Sequence, residues 1–256
     1  MSVDERMVHD IVQKVMANMQ ISGSVSGMHG VFKDMNDAIN ASIEAQKKVC
    51  TMTLDQREQI ISLIRKKTHE NAEILANMGV NETGMGNVGD KILKHHLTAD
   101  KVPGTEDIST IAWSGDRGLT LVEMGPFGVI GAITPATNPS ETVICNCIGM
   151  LAGGNTVVFN PHPNAKKTTI YTINMINEAS IEAGGPDNIA VTVEAPTLDT
   201  SAIMMKHPSI HLLVATGGPG VVTAVLSSGK RAIGAGAGNP PCLLYTSPSP
   251  RDPKTS

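Results

Sequence analysis

The spacing of apolar positions divides this chain into two regimes. Between residues 31 and 89 they recur at helical intervals. Phe32, Met35, Ala38, Ile39 and Ile43 mark one helix, and residues 54–78 mark a second with a break near His69. From Leu119 the pattern becomes short apolar runs alternating with amphipathic stretches. Strands are predicted at 119–123, 127–134, 155–160, 189–193, 210–215 and 232–234. Helices are predicted between them at 140–151, 165–183, 198–206 and 218–226. Apolar strands alternating with helices imply an α/β fold, with a parallel sheet covered on both faces and ligands bound at the carboxyl ends of its strands.

The first twenty residues form a unit of their own. Val8, Ile11, Val12, Val15, Met16 and Met19 make one apolar stripe, and Ser2 with Glu5 forms a capping box at its start. Residues 21–30, ISGSVSGMHG, have the Gly/Ser content of a flexible tether. Such a helix either packs on its own domain or serves as a docking device outside it.

Composition narrows the function classes. The 256 residues, 41% hydrophobic with net charge −4, suffice for one large domain or two small ones. Twenty basic residues against 24 acidic ones, with 2% aromatics, exclude a nucleic-acid partner. Fourteen methionines take core volume that Phe and Tyr usually fill. Four cysteines without CxxC spacing argue against a disulfide framework or a zinc site, and Cys145 and Cys147 diverge on a helix. No apolar run reaches membrane-spanning length, and the N-terminus lacks a secretory core, so a cytosolic protein without membrane association is expected.

Several short segments carry chemistry. Residues 84–89, GMGNVG, match GxGxxG but follow a helix rather than a strand, so they read as a helix-ending loop. His95 and His96 lie in a mixed helical stretch without a carboxylate or cysteine at ligand spacing, and are expected at the surface or core edge rather than on a metal. Residues 134–139, TPATNP, put Asn138 where a strand gives way to a helix, a position from which an amide can donate to a developing alkoxide. Residues 215–220, ATGGPG, join a strand to a helix, where backbone N–H groups can face a pyrophosphate and glycine permits close approach.

Residues 125–163, GPFGVIGAITPATNPSETVICNCIGMLAGGNTVVFNPHP, resemble the corresponding segment of the aldehyde dehydrogenase superfamily, and residues 211–241, HLLVATGGPGVVTAVLSSGKRAIGAGAGNPP, are similar to its CoA-acylating branch. The resemblance implies an aldehyde-dehydrogenase-type Rossmann-like domain over residues 31–241, preceded by helices. It makes Asn138 the oxyanion donor, with Thr137 competing for the aligned position. It places Thr134, Pro135, Thr137, Asn160, His162, Thr216, Gly217, Gly218, Gly220 and Gly236 around the nucleotide. Asn160 and His162 stand where hydrolytic members have a ribose-binding Lys and Glu, which leaves NAD and NADP both open. Hydrolytic members also have a water-activating glutamate where this sequence has Gly234 or Ala235, and neither can act as a base.

The implied reaction is therefore oxidation of a short aldehyde by NAD with coenzyme A as acceptor. Branch members that are cargo of bacterial microcompartments carry a leading helix, so residues 1–20 are expected to engage a shell protein and the full-length enzyme to be a homo-oligomer. The family's nucleophilic cysteine lies a few tens of residues beyond the glycine-rich block. Cys242 follows Pro241 directly, too early for that role, and residues 242–256 no longer match the family and read as a disordered tail. The chain is thus expected to be an inactive, truncated first half. Alternatives are a non-catalytic nucleotide-binding or cargo-docking module, and the aldehyde half of a bifunctional aldehyde-alcohol dehydrogenase, which the tethered helix disfavours.

Overall fold

The computed structural model describes residues 27–236, so the expected leading helix at 1–20, most of the tether, Cys242 and the tail lie outside the described residues. The chain enters through strand β1 (Val31–Phe32) and four helices: α1 (Met35–Val49), α2 (Leu54–Glu70), α3 (Ala72–Thr83) and α4 (Val88–Lys101). A hairpin of β2 (Ile111–Gly115) and β3 (Gly118–Val122) follows. Then come β4 (Val129–Thr134), α5 (Pro139–Ala152), β5 (Thr156–Pro161), α6 (Lys166–Glu182), β6 (Ala190–Val193), α7 (Leu198–Lys206), β7 (Ile210–Thr216), α8 (Pro219–Leu226) and β8 (Arg231–Ala235).

Local chemistry sets the helix boundaries. Asp34 caps α1, and Thr53 with Gln56 forms a reciprocal capping box on α2. The break predicted near His69 falls at Asn71, whose non-helical backbone separates α2 from α3. Gly84, left-handed at φ 67°, ends α3, and the Asn87 side chain accepts from Asp90 N to start α4. Residues 84–87 therefore form the expected helix-ending loop, while Val88 and Gly89 already belong to α4.

Six strands form one parallel sheet in the order β1-β6-β5-β4-β7-β8. Successive residues of β5 point to opposite faces, with Val157 and Phe159 in one core and Val158 in the other. The first core adds Ile60, Ile64, Leu75, Ile144, Ile148 and Ile173 from α2, α3, α5 and α6. The second adds Met35, Ile39, Met204 and Val225 from α1, α7 and α8. Strand order runs outward from β4 through β5 to β6 on one side and through β7 to β8 on the other, so β4 and β7 flank the topological switch point.

Two elements depart from expectation. Phe32, predicted helical, lies in β1, where Val31 and Phe32 pair with Thr192 and Val193 of β6. Residues 119–123 do not join the parallel sheet. Their strand β3 pairs antiparallel with β2 through a turn at Asp116 and Arg117, and both strands are exposed. Among the described residues no helix is long and apolar enough to cross a membrane, and no cluster of three potential metal ligands occurs.

Candidate functional site

The carboxyl ends of β4, β5 and β7, together with Gly236 just past β8, enclose a cleft of about 880 Å³ at the switch point. Thr134, Pro135, Thr137, Asn160, His162, Thr216, Gly217, Gly218 and Gly236, all expected at a nucleotide site, line it together with Asn138, the expected oxyanion donor. Gly220 lies one step inside α8 and does not. A second hollow of about 710 Å³ lies against α4, with Met85, Leu93, Lys94 and Leu97 in its wall. Thr137 and Asn138 belong to both hollows and form the partition between them.

Asn138 is the N-cap of α5 but does not cap it with its side chain. Its Oδ1 accepts instead from Lys94 Nζ at 3.1 Å. An ammonium can only donate, so the amide oxygen faces Lys94 and the NH₂ group is the end left for another partner. Pro139 at the first helical position, with no N–H of its own, holds the turn.

Beneath this turn lies a buried polar network built on α4 and the start of α5. Lys91 Nζ donates to the Thr137 carbonyl at 2.9 Å and pairs with Glu141 Oε1 at 3.3 Å. The side chains of this pair are 5% and 8% exposed. His95, expected at the surface or core edge, is fully buried. Its Nδ1 lies 2.7 Å from the Lys91 carbonyl and its Nε2 lies 2.8 Å from Ser140 Oγ. A carbonyl accepts only, so Nδ1 carries the proton and Nε2 accepts from the serine hydroxyl. Burial lowers the His95 pKa, the Glu141 charge opposing it, which keeps the ring neutral. His96 is half-buried and stacks on His69 with ring centroids 4.9 Å apart. The signal for the network is the i, i+3, i+4 spacing of Lys91, Lys94 and His95, which puts them on one face of α4.

On the other wall, Asn160 lines the cleft but its polar atoms are committed internally. Its Nδ2 donates to Ser201 Oγ at 2.5 Å, and its Oδ1 accepts from Thr200 Oγ1 at 2.7 Å. Its contribution is to anchor α7 to β5, not to offer hydrogen bonds to a nucleotide. His162 sits exposed at the rim, with Nδ1 accepting from Asn164 N at 3.2 Å, so its Nε2 faces outward. Leu198 and Ser201, which carry no motif, complete this wall, and Leu198 is 86% exposed.

The cleft fits a dinucleotide on two observations. Thr134 Oγ1 is buried in its lining without a hydrogen-bond partner. A Cβ at Gly217 or Gly218 would meet nothing within 4 Å, so the room those glycines leave opens outside the chain. Part of the loop is unavailable as donor, since Gly217 N–H bonds the Ala235 carbonyl at 3.2 Å and Pro219 has no N–H. Gly234 is glycine for a packing reason, because a Cβ there would lie 2.6 Å from Val222 Cγ1 of α8. Cys50, Cys145 and Cys147 line neither hollow, and burial pushes the Cys147 thiol up to about 12.

Comparison with known proteins gives concordant matches. The model of the aldehyde dehydrogenase family matches residues 17–239. An acetaldehyde dehydrogenase (acetylating) of Bilophila wadsworthia is 45% identical over 250 residues, covering 94% of this chain and 51% of the relative. A propionaldehyde dehydrogenase from the Clostridium phytofermentans fucose utilisation bacterial microcompartment superposes with a TM-score of 0.81 at 74% identity, over 83% of this chain and 49% of that one. The Rhodopseudomonas palustris propionaldehyde dehydrogenase with bound propionyl-CoA gives a TM-score of 0.80 at 50% identity, over 82% of this chain and 47% of that one. The chain thus spans about half the length of the relatives it matches.

Proposed function

Because the chain belongs to the aldehyde dehydrogenase family, we propose that residues 27–236 form the nucleotide-binding and oxyanion-donating part of a CoA-acylating aldehyde dehydrogenase. The reaction is oxidation of a short aldehyde with NAD⁺ and CoA to acyl-CoA, NADH and a proton. The observation that carries this reading is Asn138, whose NH₂ group is left free on the partition between two hollows. The larger hollow, with Thr134, Gly217 and Gly218, suits the nucleotide. Leu93, Leu97 and Met85 give the smaller one an apolar wall suited to a short alkyl chain.

When bound, the nicotinamide accepts the hydride. The chain's own groups do the rest of what this half contributes. The Asn138 NH₂ donates to the aldehyde oxygen as it gains negative charge, and Lys91 fixes the neighbouring peptide so that little reorganisation is needed. Gly234 and Ala235 supply no base to activate water, so an acyl group on the enzyme persists until a thiol removes it. The nucleophilic cysteine comes from outside the described residues, since none of the three within them reaches either hollow. NADP is compatible with a ribose rim that lacks a carboxylate and offers His162.

Two rate measurements test the assignment in a full-length family enzyme whose N-terminal half is this chain. NADH formation from propanal should require CoA, and equal rates with and without it would overturn the acylating reading. Asn138→Ala should lower turnover by roughly 10² to 10³. Normal turnover in that variant would remove the oxyanion role.

The apolar stripe from Val8 to Met19 supports residues 1–20 as a segment that docks on a shell protein of a bacterial microcompartment. A reporter fused to these residues should co-purify with shells and lose them on Ile11→Glu/Val15→Glu. Retention by the double variant would refute the docking.

A further inference from the structure

We propose that Lys94 is the positioning residue of the oxyanion site, turning the Asn138 amide into its donating orientation; this rests on the oxyanion reading of Asn138. An asparagine at a helix N-cap ordinarily turns its side-chain oxygen onto the backbone N–H groups of the first turn. In that rotamer Asn138 would satisfy α5 and direct its NH₂ away from the reacting oxygen. The structure holds it otherwise: α5 has no side-chain cap, and the Asn138 oxygen lies 3.1 Å from Lys94 Nζ.

The element carrying Lys94 is fixed independently. One turn before it on α4, Lys91 grips the Thr137 carbonyl and Glu141, and one residue after it His95 bonds Ser140. Three consecutive contacts on one face of α4 thus bracket residues 137–141, and Lys94 makes the one that reaches the functional side chain. Lys94 also does something orientation alone would not. A cation on the amide oxygen draws electron density from the nitrogen, so the N–H groups become stronger donors to an alkoxide. Lys94 itself is solvent-exposed and belongs to the second hollow, so removing its charge leaves no cavity in the core.

The experiment has a spectroscopic arm and a kinetic arm. In the chain as it stands, Lys94→Met should shift the Asn138 side-chain NH₂ resonances in a ¹⁵N–¹H spectrum while leaving the backbone amides of α5 in place. An unmoved NH₂ pair would overturn the proposal whatever the enzyme does. In the full-length enzyme, Lys94→Met should lower turnover about tenfold, the scale of one hydrogen bond to a charged group. It should leave the KM for NAD⁺ and the melting temperature unchanged.

In an Asn138→Ala background the same substitution should have no further effect. A tenfold loss that persists there would mean Lys94 acts on substrate independently of Asn138, and overturns the positioning role. Full activity of Lys94→Met where Asn138→Ala is impaired refutes Lys94 alone. Full activity of Asn138→Ala refutes the oxyanion reading beneath it.

Discussion

Lys91→Met is the most severe test of the buried network under the turn at residues 137–141. The substitution keeps the side-chain volume but removes the cation that holds both Glu141 and the Thr137 carbonyl. Glu141, 8% exposed, would keep only the Ser140 hydroxyl at 3.2 Å, itself already committed to His95. Removing one partner of a buried pair costs about 3–5 kcal/mol, because the remaining charge stays desolvated. A domain of this size loses about 2–4 °C of melting temperature per kcal/mol, so the expected drop is about 10 °C.

The reverse side of the same physics is that Lys91→Met/Glu141→Met should recover most of the loss, since a buried apolar pair of similar shape replaces two desolvated charges. Urea unfolding of the four proteins gives the coupling energy, expected to exceed about 2 kcal/mol. The effect should barely respond to salt, because a pair this buried is poorly screened. A single variant costing less than about 1 kcal/mol, or a double variant equal to the sum of the singles, would refute the argument that the pair is a closed, desolvated unit.

Three further outcomes follow from neighbouring contacts. His95 is held neutral in the fold with its pKa lowered by burial, so the unfolded chain takes up a proton first as pH falls through about 6.5. Stability should then fall by up to about 1.4 kcal/mol per pH unit below that point, and His95→Gln should remove this slope, leaving what His207, also lowered by burial, contributes. An unchanged slope in His95→Gln would reject the assignment. Gly234→Ala should cost about 1–3 kcal/mol through overpacking on Val222, and Val222→Ala in the same chain should return part of it. Glu82 accepts from Lys167 N and Thr168 N at 2.7 Å each at the start of α6, so Glu82→Ala should lower stability by about 1–2 kcal/mol in thermal unfolding.

The sheet and the cleft are legible in the sequence for one reason. Strand runs such as residues 129–134 and 156–161 are buried on both faces, so their apolar character is continuous and their ends are marked by proline. Positions at those ends converge by topology alone, which is why Thr134, His162 and Thr216 meet although far apart in sequence. What stays hidden depends on side-chain partners rather than periodicity. Asn160 looks like a ligand-facing residue until Ser201 and Thr200 take its amide. His95 looks peripheral because Lys91 and Lys94 make its helix appear polar, whereas Lys91 is itself buried against Glu141. The hairpin strand β2, IAWSG, lacks a buried face and so carries no alternation to read.

Gly234 connects packing to reaction type more firmly than its lack of a side chain suggests. If its only property were the absence of a carboxylate, one substitution would make the proposed enzyme hydrolytic. The Cβ of any replacement would instead fall 2.6 Å from Val222 Cγ1, a branched side chain on the helix that opens with Gly218 and Pro219. Gly234 is itself exposed and Val222 half-buried, so the contact falls first on the Val222 side chain and on the packing of α8 against β8. A glutamate at Gly234 would therefore need a matching change at Val222, whereas Ala235, the other position aligned with the hydrolytic glutamate, already carries a Cβ. On the proposed acylating reading, the packing of α8 against β8 thus opposes a water-activating base at one of the two aligned positions.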